Sequence, residues 1–160
     1  MRKAILAAMA SAVLAMGIAA CSSEPEAPAD VAPEGPEGIS VSDGRMNLPA
    51  VAGNPAAVYF TVTNDSDRDQ MIRSASVLGS ESAVLHTVTP YDGRMDMQEM
   101  TQLSVPAGES LEFKPGELHV MAMNVDENLK VGDNIEVTLT FVGGDKISFP
   151  VTIRAPGDDS

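Results

Sequence analysis

From Ile39 to Ile153 the apolar residues of this chain recur at every second position, in short runs broken by Gly, Pro, Asn and Asp. Successive strand side chains point to opposite faces, so this period selects half-buried β-strands and argues against amphipathic helices, which need a 3.6-residue period. The clearest runs lie late in the chain. Ile135, Val137, Leu139 and Phe141 share one face, as do Ile147, Phe149, Val151 and Ile153, and Gly143-Gly144-Asp145 between them suits a tight hairpin. Upstream, Val58, Phe60 and Val62 alternate within 57–63, and the run stops at Asn64-Asp65-Ser66-Asp67. Further candidates are Ile39–Val41, Met71–Val77, Val84–Val88, Met97–Met100, Ser110–Phe113 and His119–Asn124. Roughly seven to nine short strands at this spacing predict an all-β domain, a sandwich or small barrel, over residues 39–154.

The segments flanking this domain are of a different kind. Met1-Arg2-Lys3 is a short positive start, residues 4–20 form an uncharged apolar stretch, and Ser22-Ser23-Glu24 turns abruptly polar. This is the layout of a secretory signal over residues 1–20. Its close, Ile18-Ala19-Ala20-Cys21, resembles the bacterial lipobox, in which the cysteine is diacylated and becomes the new N-terminus. Cys21 is the single cysteine of the chain. It can form no internal disulfide, and as a free thiol in an exported protein it would be an oxidation liability, whereas lipidation gives it a role. Residues 21–38 are rich in Pro, Glu and Ala with no apolar period, so they are expected to form a disordered tether. At about 3.1 Å per residue, Ser22–Gly38 would reach roughly 50 Å from the lipid. Residues 155–160 are expected to be a short flexible tail. The chain is thus placed in a bacterial cell envelope, its domain facing the periplasm, and Ser22 points by analogy with sorting preferences to the outer membrane.

Charge and aromatic content narrow the partners. The net charge is −13, and because Arg2 and Lys3 lie in the signal, the remainder carries −15. Such a surface repels phosphate backbones, which argues against nucleic acid. With no Trp, two Tyr and four Phe, the chain has little from which to build a base- or sugar-stacking platform.

The chemistry-bearing residues cluster instead around the two histidines, His86 and His119. Ten methionines occur in the chain, three of them in the signal, and of the other seven, Met95, Met97, Met100, Met121 and Met123 fall in one short window. In an extended strand His119, Met121 and Met123 project together while Val120 and Ala122 face away, and Met95 shares a side with Met97. Imidazole suits several transition metals, but a thioether is soft and selects Cu(I). Zinc favours thiolate, imidazole or carboxylate, and calcium wants oxygen rings. A thioether also needs no deprotonation and forms no disulfide, which makes it a workable soft ligand in an oxidising compartment. Taken singly, a Met is an ordinary core filler. As a set, two His among these thioethers point to one Cu(I), with Cu(II) the further oxidation state that imidazole accepts.

The spacing makes the set recognisable. Ten residues separate His86 from Met97, twenty-one separate Met97 from His119, and one separates His119 from Met121. This H-x10-M-x21-H-x-M pattern resembles that of the periplasmic copper chaperones called PCu(A)C. Leu85-His86, Asp92-Gly93-Arg94-Met95-Asp96-Met97, Val105-Pro106-Ala107-Gly108 and Lys114-Pro115-Gly116-Glu117-Leu118-His119-Val120-Met121-Ala122-Met123 are similar to stretches of that family, as is Ala56-Ala57-Val58-Tyr59-Phe60 with Asn64. The resemblance covers nearly all of 39–153. It implies a cupredoxin-like, immunoglobulin-like β-sandwich holding copper through His86, Met97, His119 and Met121. It further implies delivery to exported cuproproteins, such as the CuA site of cytochrome c oxidase. Two departures stand out: Thr87 to Pro90 contain no Met after His86, and the tail Ala155 to Ser160 has no His or Met for a separate Cu(II) site. Met95, Met100 and Met123 are read first as packing and second as auxiliary copper contacts.

Other classes fit less well. A blue-copper electron carrier needs a Cys ligand, and Cys21 sits at the lipidation position. A histidine-brace oxygenase needs an N-terminal His, where this chain would begin with Cys21. No enzyme is therefore expected. A metal-free adhesion or assembly sandwich, and a copper storage or resistance protein, are the alternatives to a chaperone.

Overall fold

In the computed structural model of the protein, residues 35–158 are described. The signal at 1–20, the lipidation position Cys21 and the tether as far as residue 34 lie outside the described residues, as do Asp159 and Ser160.

The described residues form ten strands and no helix. They are β1 (Ile39–Asn47), β2 (Ala56–Asn64), β3 (Gln70–Val77), β4 (Ser82–Tyr91), β5 (Arg94–Glu99), β6 (Leu103–Val105), β7 (Ser110–Phe113), β8 (His119–Met123), β9 (Asn134–Phe141) and β10 (Lys146–Arg154). The all-β expectation holds, with one strand beyond the seven to nine read from the sequence. The extra one is β6, whose three residues are too short for a period of two to register. The hairpin at Gly143-Gly144-Asp145 forms as expected, with β10 antiparallel to β9 from Lys146↔Thr140 to Thr152↔Asn134.

Hydrogen bonds link the strands in the order β5-β4-β8-β2-β1-β10-β9-β3-β6, with β7 also pairing β2. Every pairing is antiparallel except that of β1 with β10. β1 makes this switch through a bulge. It pairs with β2 along Ile39–Ser42, shifts register between Ser42 and Arg45, and then runs between β2 and β10 along Arg45–Asn47. Asp43 adopts φ 57° there. A side chain on Gly44 would place its Cβ 2.8 Å from the Pro150 carbonyl oxygen, so β1 and β10 approach this closely only because that residue is glycine.

The sheet folds over on itself around one core. Phe60 of β2 stacks on Phe113 at 4.2 Å and meets Phe149 of β10 edge-on at 5.0 Å. β3 packs against β4 although the two lie far apart in the strand order. Val58, Phe60, Val62, Leu85, Val120, Ala122, Val137 and Leu139 all point into this core. Full burial of each large apolar side chain stabilises the fold by about 1.5–3 kcal/mol. Because Leu85, Val120 and Ala122 face inward, the alternate positions of β4 and β8 must face outward. That alternation sets the site.

Candidate metal centre

The outward positions of β5, β4 and β8 carry the residues singled out by the sequence. His86 on β4 and His119 on β8 are direct cross-strand partners. Their rings stand perpendicular with centroids 5.6 Å apart. Met121 is opposite Val84, and Met97 is opposite Val88. Each therefore lies diagonal to His86, one on either side, and diagonal neighbours at about 7–8 Å are within reach of long side chains. His86 is the hub: it has an imidazole directly opposite and a thioether on each flanking strand. Met121 is half-buried, whereas Met97 is 48% exposed on a strand whose every residue is exposed.

The two imidazoles are held differently. His119 opens β8 and is buried, 5% exposed. The turn before it closes with Lys114 N–H donating to Leu118 O at 2.8 Å, Gly116 taking φ 77°. This turn aims the Glu117 carbonyl at His119 Nδ1, 3.0 Å away. A carbonyl can only accept, so Nδ1 carries the proton and Nε2 keeps its lone pair, the arrangement of a metal-ligating histidine. His86 Nδ1 is buried with no hydrogen-bond partner. Leaving a buried polar atom unsatisfied costs about 1–3 kcal/mol. An ion arriving at the pair would relieve that cost. Burial, and then the neighbouring His119, hold the His86 pKa below its ordinary value, against an upward pull from Glu99. His86 is thus neutral at pH 7, the form that ligates.

The donor set constrains the metal. Among the described residues no group of three or more His, Cys, Asp and Glu is placed to hold an ion. The further donors beside this histidine pair are thioethers, which suit Cu(I) better than zinc or calcium.

Residues 39–153 match the family described as "Putative lipoprotein LpqE-like". The chain belongs to this family. Among its relatives, "Putative lipoprotein Lxx21020" of Leifsonia xyli subsp. xyli (strain CTCB07) is 26% identical over 151 residues, spanning 94% of this chain and 90% of that protein. The copper-bound PCuAC domain from PmoF2 has the same fold, with a TM-score of 0.62 at 19% identity over 74% of this chain and 94% of that one. The solution structure of Cu(I)-bound DR1885 from Deinococcus radiodurans gives 0.61 at 25% identity, over 76% and 80%. The cupredoxin-like expectation and the resemblance to PCu(A)C are borne out by this likeness.

In this LpqE-like chain the auxiliary methionines part company. Met95 stands opposite Pro90, on the same face as Met97, and is 65% exposed. Met123 stands opposite Ser82, half-buried and two positions beyond Met121. Met100 turns inward, packs against the core, and donates its N–H to Leu85 O at 2.7 Å. It does not join the others.

Three residues escaped the sequence reading. Glu99 lies directly opposite His86. Tyr59 extends the β2–β8 pairing to the side of His119, with ring centroids 6.5 Å apart. Arg45, opposite Tyr59 on β1, lays its guanidinium 5.0 Å over that ring. A row Glu99–His86–His119–Tyr59–Arg45 thus crosses five strands, and it helps bury His119 on what is otherwise an outward face. Only long-range register brings these five together, and no local spacing announces it.

Proposed function

We propose that this protein is a copper chaperone, binding one Cu(I) through His86, Met97, His119 and Met121 and passing it to exported cuproproteins. The observation that carries the reading is the His86–His119 cross-strand pair with thioethers at both adjoining diagonals. The unpartnered His86 nitrogen and the His119 tautomer support it, as does the likeness to domains solved with copper bound. Cu(II) is a secondary cargo, since the imidazoles accept it and the thioethers do not favour it.

Handover proceeds by ligand exchange. Met97, half in solvent on the edge strand, marks the side from which an acceptor would approach, while His119 is shielded at the deep side of the site. A CuA site of cytochrome c oxidase is the acceptor class favoured by the PCu(A)C resemblance. Membership in a lipoprotein family supports an envelope location, with Cys21 as the lipid anchor and the domain on the periplasmic side. The chain catalyses no reaction in this reading.

Competition with a chromogenic Cu(I) chelator tests the site. One equivalent of Cu(I) should bind, and the double variant His119→Ala, Met121→Ala should lose at least about a hundredfold in affinity, close to 2.7 kcal/mol. An unchanged affinity would remove these residues from the site.

A further inference from the structure

The four-ligand site leaves Met95 over, and its position has a direction. β5 pairs with β4 so that Met97 stands opposite Val88 and Met95 opposite Pro90. Residues two apart on a strand share a face. Both thioethers therefore lie on the side of the sheet that carries the histidines, each a step farther toward the turn at Asp92-Gly93. Exposure climbs in the same order, from 5% at His119 through 48% at Met97 to 65% at Met95. β5 is also an edge strand, exposed along its whole length. Val88 and Pro90 offer no side-chain donor, and the open cleft that Met95 shares with Asp92, Arg94 and Asp96 adds hard carboxylates, which suit Cu(I) poorly, and a guanidinium, which does not ligate.

We propose that Met95 is an exit ligand, absent from the resting site but binding Cu(I) together with Met97 as the ion leaves the histidines for an acceptor. The inference rests on the copper reading above. In the step a Cu–S bond to Met95 forms while a Cu–N bond to a histidine breaks. The ion remains Cu(I) and no electron moves. Each ligand binds through a lone pair and a thioether carries no proton, so the exchange itself transfers none. Three rotatable bonds let each methionine swing its sulfur onto a shared ion. With fewer bonds than the full site, this state is short-lived. Being on the exposed edge, it is open to an acceptor's own sulfur or nitrogen donors.

The test separates rate from affinity. The full chain carrying one equivalent of Cu(I) is mixed rapidly with excess bicinchoninate, and the same chelator at equilibrium gives the affinity. Met95→Leu should keep the affinity within about twofold yet slow copper release about fivefold or more, the signature of a barrier changed without its ground state. Met95→His, which restores a Cu(I) donor, should recover most of the lost rate. Equal release from the wild type and Met95→Leu would overturn the proposal. So would a loss of affinity of about tenfold, which would make Met95 a resident ligand, or slow release from Met95→His, which would reduce the effect to side-chain shape. A wild-type chain that binds no Cu(I) would instead sink the copper reading itself.

Discussion

At the scale of single residues, His86 carries a conflict between stability and binding. Its Nδ1 is buried without a partner, and burial holds its pKa down. Both features weaken the metal-free fold, and both ready the ring for a cation, the kind of local cost that functional sites commonly carry. His86→Leu should therefore abolish most Cu(I) affinity while leaving the melting temperature of the metal-free protein unchanged or higher. The pH dependence has a definite sign. An unfolded histidine titrates near 6.5 and folded His86 lower, so between the two values the unfolded chain binds more protons. Stability from this group is complete above 6.5 and falls as pH drops through that window to the folded pKa. Melting curves of the metal-free wild type and His86→Leu should lie closest at neutral pH and part most below the folded value, the wild type falling beneath the variant as pH drops through the window. Glu99→Gln, which removes the upward pull, should extend the sloping region to lower pH. A slope of the opposite sign would show that His86 is stabilised as a cation.

At the scale of elements, alternation made most strands legible and hid the places where strands are shared. The expected Ile39–Val41 became Ile39–Asn47 because Asp43-Gly44, which reads as a turn, is a bulge inside β1. Nothing local distinguishes the two, since only the approach of β10 decides it. β6 was missed for a related reason. Leu103–Val105 is three residues long and ends against Pro106, so it reads as part of a turn. The site followed the same division. His119 and Met121 share a face by alternation alone, whereas the partnership of His86 with His119, and the row through Tyr59 to Arg45, depend on registers between distant strands. The bulge matters to that row, because it delivers Arg45 to Tyr59. Gly44→Ala would drive a Cβ into the backbone of β10, 2.8 Å from the Pro150 oxygen, where no side chain can swing aside. We expect it to cost about 1–3 kcal/mol of stability in a denaturant titration, as overpacking does. No loss would mean that β1 and β10 separate freely at this point.

At the scale of the whole molecule, the proposed site would link folding to copper binding, because its candidate ligands come from three strands that are brought together only in the native sheet. His86, Met97 and the His119–Met121 pair sit on β4, β5 and β8, and an unfolded chain cannot hold them in one coordination sphere. Anything that binds the native state alone stabilises it by RT ln(1 + [L]/Kd), about 2.7 kcal/mol when the free ligand is a hundred times Kd. For a domain of this size that is a rise in Tm of roughly 10 °C. Cu(I) buffered by a chelator should produce such a rise in the wild type, growing with the logarithm of free Cu(I). The double variant His119→Ala, Met121→Ala should melt at one temperature whatever the copper level. Zn(II) at the same free concentration should shift the wild type less, since two of the four donors are thioethers that zinc disfavours. A flat response to Cu(I) would leave an acidic, lipid-tethered sandwich with no cargo, and the adhesion or assembly reading would take its place. An equal response to Zn(II) would mean that the histidines alone hold the ion and that Met97 and Met121 are bystanders.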